Sequence, residues 1–324
     1  MALEAAPIEF DSPDRRREIS ALRAEIRALV TAKGAVILAH NYQRPEVQDV
    51  ADFVGDSLGL SREAAATGAR TIVFCGVRFM AETAAILSPR KTVLLPELEA
   101  GCSLADSITA DELRTWKAEH PGAVVVSYVN TSAEVKAESD YCCTSGNAKA
   151  VIDAIPGDRE ILFLPDLFMG TWLERVSGRK LTLWMGECHV HAGIRPADLE
   201  RWRADAPDAE LLVHPECGCS SQAMAFAGEG ARILSTEQMV THAKSSPTDH
   251  FLVATETGIL HRLRSEMPEK RFDPLREDAI CRYMKMTTLE SVRDSLVRDQ
   301  HVITVAEETA LRARRAIERM VAIG

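Results

Sequence analysis

The chain has 324 residues, of which 46% are hydrophobic and 27% are charged, and its formal net charge is -10 at pH 7. This composition is typical of a globular protein large enough for two or three compact units. The first twenty residues contain no apolar run of signal-peptide length, and no later segment has eighteen uninterrupted apolar residues, so the sequence predicts a cytoplasmic protein without a membrane partner. The negative charge, without any basic run, argues against a general nucleic-acid binder.

The first hundred residues alternate between predicted helices and short apolar strands. Ser12 and Pro13 predict the start of a helix that ends near Gly34. Pro45 opens another predicted helix, which continues through Val54. Strands are predicted at 35–39, 71–76 and 92–97.

The same alternation occurs twice more. The second series predicts strands at 123–127, 161–166 and 180–183, and the third at 210–213, 231–234 and 251–254. Polar residues follow the first strand of every series, and His40, Tyr128 and His214 are separated by 88 and 86 positions. Ser57 and Ser145 are 88 positions apart. This spacing predicts one α/β unit used three times, each a small parallel sheet wrapped by helices, although any alternation of strands and helices produces approximate periods.

The chain contains eight cysteines, and no two of them form a Cys-x-x-Cys pair. Structural disulfides are not expected, because the cytoplasm keeps thiols reduced. The absence of such a pair in the sequence also argues against a zinc ribbon and a thioredoxin-like redox site. A metal site must therefore draw on cysteines that lie far apart in the chain.

Three of these cysteines follow predicted strands. Cys188, with His191, comes after the strand at 180–183, and the carboxyl ends of such strands are where ligands bind in open α/β sheets. Cys102 and Cys281 follow the strands of the other two series. If the three units meet around an axis, each unit supplies one thiolate to a central cavity.

Three thiolates allow more than one kind of site. They leave one iron of a [4Fe-4S] cluster with an exchangeable position, where it acts as a Lewis acid. A zinc ion held by the same thiolates would polarise a substrate in a similar way. A buried thiol beside a core histidine, without any metal, is the ordinary structural alternative.

Residues suited to acid–base chemistry follow several predicted strands. His40, His191 and His214 exchange protons near neutral pH, and Tyr42 beside Glu216 is a candidate proton relay. Each of these residues is equally compatible with ordinary packing or hydrogen bonding.

Hydroxyl groups occur where helices are predicted to begin. Ser57, Ser145 and Thr236 occupy such positions, and with free backbone N–H groups they can hold a carboxylate or phosphate. Simple helix capping explains the three hydroxyls equally well.

A set of short motifs resembles the quinolinate synthase family, in the family's order, from about residue 20 to the C terminus. No single motif is specific, but the set is. The motifs are His40-Asn41-Tyr42 with Pro45-Glu46, the run from Ala51 to Ser57, Cys143-Thr144-Ser145, Pro165-Asp166, Gly186 with Cys188 and His191, His214-Pro215-Glu216-Cys217, Ala254-Thr255-Glu256, and Cys281 with Met284-Lys285.

The resemblance implies an α/β fold of three αβα sandwich domains with short parallel sheets, related by pseudo-threefold symmetry around a central iron–sulfur site. We place the domains at residues 1–103, 104–188 and 189–281, with 282–324 packing back onto the first domain. The resemblance also implies a [4Fe-4S] cluster, with ligands at Cys102, Cys188 and Cys281.

The implied reaction is a redox-neutral, transferase-class condensation. Iminoaspartate and dihydroxyacetone phosphate combine to give quinolinate, the precursor of NAD, with loss of phosphate and water, and an aspartate oxidase is implied as the source of the imine. We expect Tyr42, Glu216 and the histidines to handle protons, and some of the hydroxyl and amide groups to hold anionic groups. The positions that receive substrate or catalytic roles are His40, Tyr42, Ser57, Tyr128, Asn130, Ser145, His191, His214, Glu216 and Thr236.

Two features depart from the family pattern. Leu234 stands where the family commonly has glycine, and the closely spaced cysteines that some members carry near Cys281 are absent. No role is predicted for Cys75, Cys142, Cys143, Cys217 and Cys219. The rival hypotheses are another three-cysteine iron–sulfur enzyme, such as a hydroxymethylbutenyl diphosphate reductase or a diphthamide-synthesis protein, and a zinc-binding or redox-sensing scaffold.

Overall fold

The computed structural model describes residues 13–323, so Ser12, the predicted helix cap, lies outside the described residues. The strands are β1 Ala35–His40, β2 Phe53–Gly55, β3 Thr71–Cys75, β4 Thr92–Leu94, β5 Val124–Tyr128, β6 Tyr141–Cys143, β7 Ile161–Leu164, β8 Thr182–Leu183, β9 Glu210–Val213, β10 Ala231–Ile233, β11 His250–Ala254 and β12 Arg271–Pro274.

The helices flank these strands and connect them. They are α1 Pro13–Lys33, α2 Pro45–Gln48, α3 Ser57–Ala66, α4 Arg78–Leu87, α5 Ala110–Glu119, α6 Ala133–Ala137, α7 Ala148–Asp153, α8 Leu167–Ser177, α9 Pro196–Asp205, α10 Ser220–Ala223, α11 Thr236–Ser245, α12 Ile259–Glu266, α13 Leu289–Arg298 and α14 Glu307–Ala322. No helix among the described residues has both the length and the apolar content to cross a bilayer.

The strands form three four-stranded sheets with the same order, β2-β1-β3-β4, β6-β5-β7-β8 and β10-β9-β11-β12. Every pair of neighbouring strands is parallel. Parallel pairing requires crossover connections and buries both faces of a sheet, which explains the continuous apolar runs of β1, β5 and β9. The predicted α/β fold with three helix-flanked parallel sheets is confirmed.

The predicted number of strands was wrong, because each sheet has a fourth, short strand. The helix predicted through Val54 ends at Gln48, and Phe53–Gly55 forms β2. Strands β6 and β12 were also missed. These edge strands have only three or four residues, too few to show a clear hydrophobic period, and β12 carries the charged residues that suit a sheet edge.

In two of the three sheets, an equivalent side-chain hydrogen bond attaches the edge strand to its neighbour. The carboxylate of Asp52 accepts a hydrogen bond from the backbone N–H of Ile37 at 2.8 Å, and Asp140 accepts one from Val125 at 2.8 Å. Each aspartate comes just before its edge strand and bonds to the neighbouring first strand of the sheet. The internal repetition therefore extends to individual hydrogen bonds.

The C-terminal segment contacts two of the three sheets. Helix α13 packs on α1, and the N–H of Ile303 donates to the carbonyl oxygen of Val93 at 2.9 Å. Helix α14 packs against α6 and β6 of the second sheet and against α4 of the first. The domain boundaries drawn from the sequence stay predictions.

Candidate functional site

One cavity, with about 720 Å³ of empty space including its mouth, receives residues from all three sheets. All thirteen predicted site residues line it, so the fold brings together every position selected from the sequence, although their individual roles stay predictions. They are His40, Tyr42, Ser57, Cys102, Tyr128, Asn130, Ser145, Cys188, His191, His214, Glu216, Thr236 and Cys281.

The regular spacing of the polar residues has a structural cause. His40 and Tyr128 are the last residues of β1 and β5, and His214 directly follows β9. These three strands occupy the same place in their sheets, beside the edge strand. Equivalent carboxyl ends therefore point three polar side chains into one cavity.

Helix capping does not account for Ser57 and Thr236. Asp56 caps α3, and its carboxylate accepts a hydrogen bond from Gly59 N–H. Ser235 caps α11 by accepting from Gln238 N–H. The hydroxyl groups at the first helical positions are thus not the ones that cap these helices.

Glu216 is the centre of a buried acid–base group. Its Oε2 lies 3.3 Å from His191 Nδ1 and 3.2 Å from His214 Nδ1. The side chains of all three residues are only about 3–4% exposed. The two imidazole rings stack with their centroids 4.8 Å apart. Glu216 Oε1 has no hydrogen-bond partner among the described residues although it is buried. This oxygen is therefore available to a bound molecule.

Burial sets the protonation states of this group. It lowers the pKa of His40 to about 3 and that of His191 to about 4, so both rings are neutral at pH 7. Burial alone would raise the pKa of Glu216, but the adjacent His191 and the hydrogen bond from His214 hold it below its ordinary value. An ionised carboxylate thus lies beside the His191 ring, which is neutral at pH 7.

Tyr42 contacts this group directly, with its hydroxyl 3.4 Å from His191 Nε2, and more closely through a residue that the sequence analysis did not select. The hydroxyl of Tyr42 lies 2.5 Å from Thr255 Oγ1, which in turn lies 2.9 Å from His191 Nε2. Burial raises the pKa of Tyr42 well above its ordinary value, so the phenol keeps its proton. Thr255 directly follows β11, and a polar residue at the carboxyl end of a predicted strand is the sequence feature that could have identified it. The contacts form a continuous path for a proton from Tyr42 to Glu216.

The three predicted ligand cysteines have the same local structure. Each begins a turn that leads into a 3-10 helix, at Ala105–Ser107, His191–Gly193 and Met284–Met286. Each sulfur accepts hydrogen bonds from the backbone N–H groups two and three positions later in the chain. Successive N–H groups of this kind form a nest for an anion. We call these three arrangements the thiol nests.

Burial and neighbouring acidic groups raise the pKa values of the three thiols. Burial, together with the nearby Cys281, raises the pKa of Cys102 to about 12. Burial and the charge of Cys102 likewise raise the pKa of Cys188. All three cysteines are free of disulfides and partly exposed. Cys75 and Cys143 are buried and lack the paired backbone hydrogen bonds of the thiol nests.

The possible metal ligands in the cavity include two sets, namely His191, His214 and Glu216, and the three cysteines. Within residues 13–323, the only group of three or more His, Cys, Asp or Glu side chains compact enough for a single ion is His191, His214 and Glu216, with ligand atoms within 4.8 Å of one another. The three thiols do not form a group of that kind.

The turn that leads to Cys188 has no room for a side chain at position 186. A Cβ atom on Gly186 would lie 2.5 Å from the carbonyl oxygen of Pro165 and closer still to Ser107 Oγ. The N–H of Leu167 donates to the carbonyl oxygen of Gly186 at 2.9 Å, which fixes the approach to Cys188. The close contact of two backbones here explains the glycine in the sequence.

The third thiol is held by a buried ion pair. Glu256 Oε1 accepts a hydrogen bond from the N–H of Cys281 at 3.0 Å and lies 2.9 Å from Lys285 Nζ. Lys285 also donates to the carbonyl oxygen of Tyr42. The ion pair therefore connects the turn at Cys281 to Tyr42, which lies just after β1 of the first sheet.

The fold and the cavity define a class of α/β protein in which three related parallel sheets present acid–base residues and three thiols to one central cavity. Chemistry that combines proton transfer with a thiolate-bound cofactor suits this arrangement.

Comparison with known proteins narrows this class to one family. The sequence model described as "Quinolinate synthetase A protein" matches residues 24–322. The quinolinate synthase of a Thermus thermophilus strain is 59% identical over 304 residues, which cover 94% of this chain and 98% of that protein. The quinolinate synthase of Mycobacterium sp. strain KMS is 57% identical over 308 residues, with 93% and 91% covered. The chain therefore belongs to the quinolinate synthetase A family, which confirms the resemblance and makes it an enzyme of that family.

Proposed function

We propose that the chain is a quinolinate synthase that condenses iminoaspartate with dihydroxyacetone phosphate, releasing phosphate and water, in NAD biosynthesis. The observation that carries the proposal is that three equivalent thiol nests and a buried proton path line the same cavity. The names of the relatives support the product, and the residues of the cavity support the chemistry.

In this proposal Cys102, Cys188 and Cys281 hold a [4Fe-4S] cluster. The donor set fits such a group, because three thiols line one cavity and each sulfur has two backbone N–H groups that stabilise a thiolate. When bound, the cluster supplies one Lewis-acidic iron with an exchangeable position.

Hydroxyl groups and helix ends would bind the charged parts of the substrates. Ser57 and Thr236 lie at the first positions of α3 and α11, where free N–H groups and the helix dipole favour a phosphate or carboxylate. Ser145 Oγ lies 3.1 Å from His214 Nε2, which orients it toward the same cavity. Asn130 Oδ1 is buried without a hydrogen-bond partner among the described groups and is available to a substrate N–H.

The proton transfers are assigned to the path between Tyr42 and Glu216. Tyr42 holds a proton at its hydroxyl oxygen, and Thr255 passes it to or from His191 Nε2. The negative charge of Glu216 stabilises either histidine when it accepts a proton. Burial of the whole group excludes water, which protects a reactive imine from hydrolysis. An aspartate oxidase in the same compartment, the cytoplasm, is the proposed source of that imine.

Anaerobic purification followed by iron, sulfide and zinc analysis, together with an assay of quinolinate from the two substrates, tests the proposal. We expect about four iron and four sulfide per chain and product formation without an added electron donor or S-adenosylmethionine. Zinc as the only metal would contradict the cluster. A requirement for an electron donor would favour another three-cysteine iron–sulfur enzyme.

A further inference from the structure

The residues that directly follow the three thiol-nest cysteines meet at the surface of the protein. Ser103 is half-buried, and His189 and Arg282 are exposed. No role in the chemistry described above falls on these side chains. Their positions one residue after Cys102, Cys188 and Cys281 place them on three loops that belong to different sheets.

Contacts between these loops close into a ring. Ser103 Oγ lies 2.7 Å from His189 Nδ1, which joins the first loop to the second. The rings of His189 and Tyr283 meet edge to face with their centroids 5.9 Å apart, which joins the second loop to the third. A Cβ atom on Gly101 would lie 3.9 Å from the ring of Tyr283, so the third loop lies next to the first. We call Gly101, Ser103, His189 and Tyr283 the collar.

The side chain of Arg282 supports the tyrosine of the collar from outside. Its guanidinium lies 4.8 Å from the centroid of the Tyr283 ring, and its Nη2 donates to the hydroxyl of Tyr283 at 2.9 Å. An arginine over an aromatic face restrains the ring.

The collar lies at the thiol end of the cavity. All four of its residues line the same cavity as the thiols. The acid–base residues at the other end of that cavity, such as His214 and Glu216, are only 3% exposed, whereas the three cysteines are partly exposed. The thiol end is thus the more open end, and the collar residues line the cavity there.

We propose that the collar retains the bound cluster, by holding the three cysteine loops together and limiting the access of solvent molecules to the thiols. This inference rests on the proposed function, because it requires a cluster on the three cysteines. Each cysteine belongs to a different sheet, so a sulfur can withdraw from a shared group only if its loop separates from the other two. The contacts of the collar oppose that separation, and its residues act as positioning residues without touching the substrates.

The rate of cluster loss to EDTA under nitrogen, followed by the visible absorbance of the cluster, tests the inference. Ser103→Ala and His189→Phe remove the same hydrogen bond, and each should increase the rate about fivefold. The double variant should be no faster than the faster single variant, since only one bond is lost. Tyr283→Ala removes the ring that joins two loops and should increase the rate about tenfold or more.

Two matched variants control for nonspecific effects. Tyr283→Phe keeps the ring and its face contact with Arg282 and loses only the hydroxyl bond, so it should increase the rate of cluster loss by less than twofold. His250→Phe removes a partly exposed histidine that pairs with Asp273 on the third sheet, and it should also leave the rate unchanged. Thermal unfolding of the cluster-free proteins shows whether a variant damages the fold, and we expect Ser103→Ala to unfold at the wild-type temperature.

The outcomes separate this inference from the proposed function. Wild-type protein without iron and sulfide would refute the cluster itself. Wild-type protein that holds the cluster, with loss rates of Ser103→Ala and Tyr283→Ala within twofold of its own, would refute the collar alone. A loss rate that rises only in variants with a lowered unfolding temperature would also refute it, because general destabilisation would then explain the result.

Discussion

Replacing Tyr42 by phenylalanine separates the chemical role of its hydroxyl from its structural role. Tyr42 is buried, and its hydroxyl lies 2.5 Å from Thr255 Oγ1. Removing the hydroxyl does not leave Thr255 without a partner, because His191 Nε2 still lies 2.9 Å from the same oxygen. The variant therefore loses the short bond to Thr255 and the longer 3.4 Å contact with His191 Nε2, without creating an unsatisfied buried group. We expect a loss of about 1 kcal/mol in the free energy of unfolding.

The effect of Tyr42→Phe on activity should be much larger. The phenol is the proton-holding end of the path to Glu216, and burial keeps it protonated across the neutral pH range. Loss of a general acid reduces turnover by about 10²- to 10⁴-fold. A loss of 1 kcal/mol in stability, by contrast, lowers the melting temperature of a protein of this size by only about 2–4 °C.

Three measurements on the same sample test this reasoning, namely the rate of quinolinate formation, the melting temperature and the iron content. We expect a large fall in the first, a small fall in the second and no change in the third. Tyr141→Phe is the matched control, since Tyr141 lies on β6 with its ring against the guanidinium of Arg319 and outside the cavity. A loss of activity below tenfold, or an iron content that falls in parallel with activity, would refute the assigned role of Tyr42.

Three further predictions concern the cysteines, a buried histidine and a glycine. Serine at any one of the three thiol-nest cysteines should abolish the iron content, whereas Cys75→Ser should retain it; equal loss in all four variants would contradict the ligand assignment. Burial lowers the pKa of His40 to about 3, so between that pH and about 6.5 the unfolded chain binds a proton there that the folded chain does not. The free energy of unfolding should therefore fall as the pH decreases from about 6.5 towards 3, by up to about 1.4 kcal/mol per pH unit. Urea unfolding of cluster-free protein at several pH values measures this slope, which should be smaller in His40→Gln. Gly186→Ala places a Cβ atom 2.5 Å from the carbonyl oxygen of Pro165 and should lower both the melting temperature and the iron content; unchanged iron content would show that this turn does not position Cys188.

The sequence alone determined the parts of the protein that depend on local patterns. Runs of Val, Ile and Leu specify β1, β5 and β9 because a strand buried on both faces must be apolar throughout. The polar residue at the end of each strand marks the same edge of each sheet, so the repeated spacing of His40 and Tyr128 predicted three related units. The family resemblance selected the cysteines and the acid–base residues that line the cavity, but it did not select Thr255 or the residues of the collar.

Only the tertiary structure decided how side chains from different sheets meet. Strands β2, β6 and β12 form because they pair with a neighbour in the sheet, and their short sequences carry little period of their own. The contact of Thr255 with Tyr42, and that of Ser103 with His189, join positions 213 and 86 residues apart in the chain. Such distances depend on how the three sheets pack around one cavity. No local pattern in the sequence encodes that packing, and for this reason the proton path and the collar were found only in the folded protein.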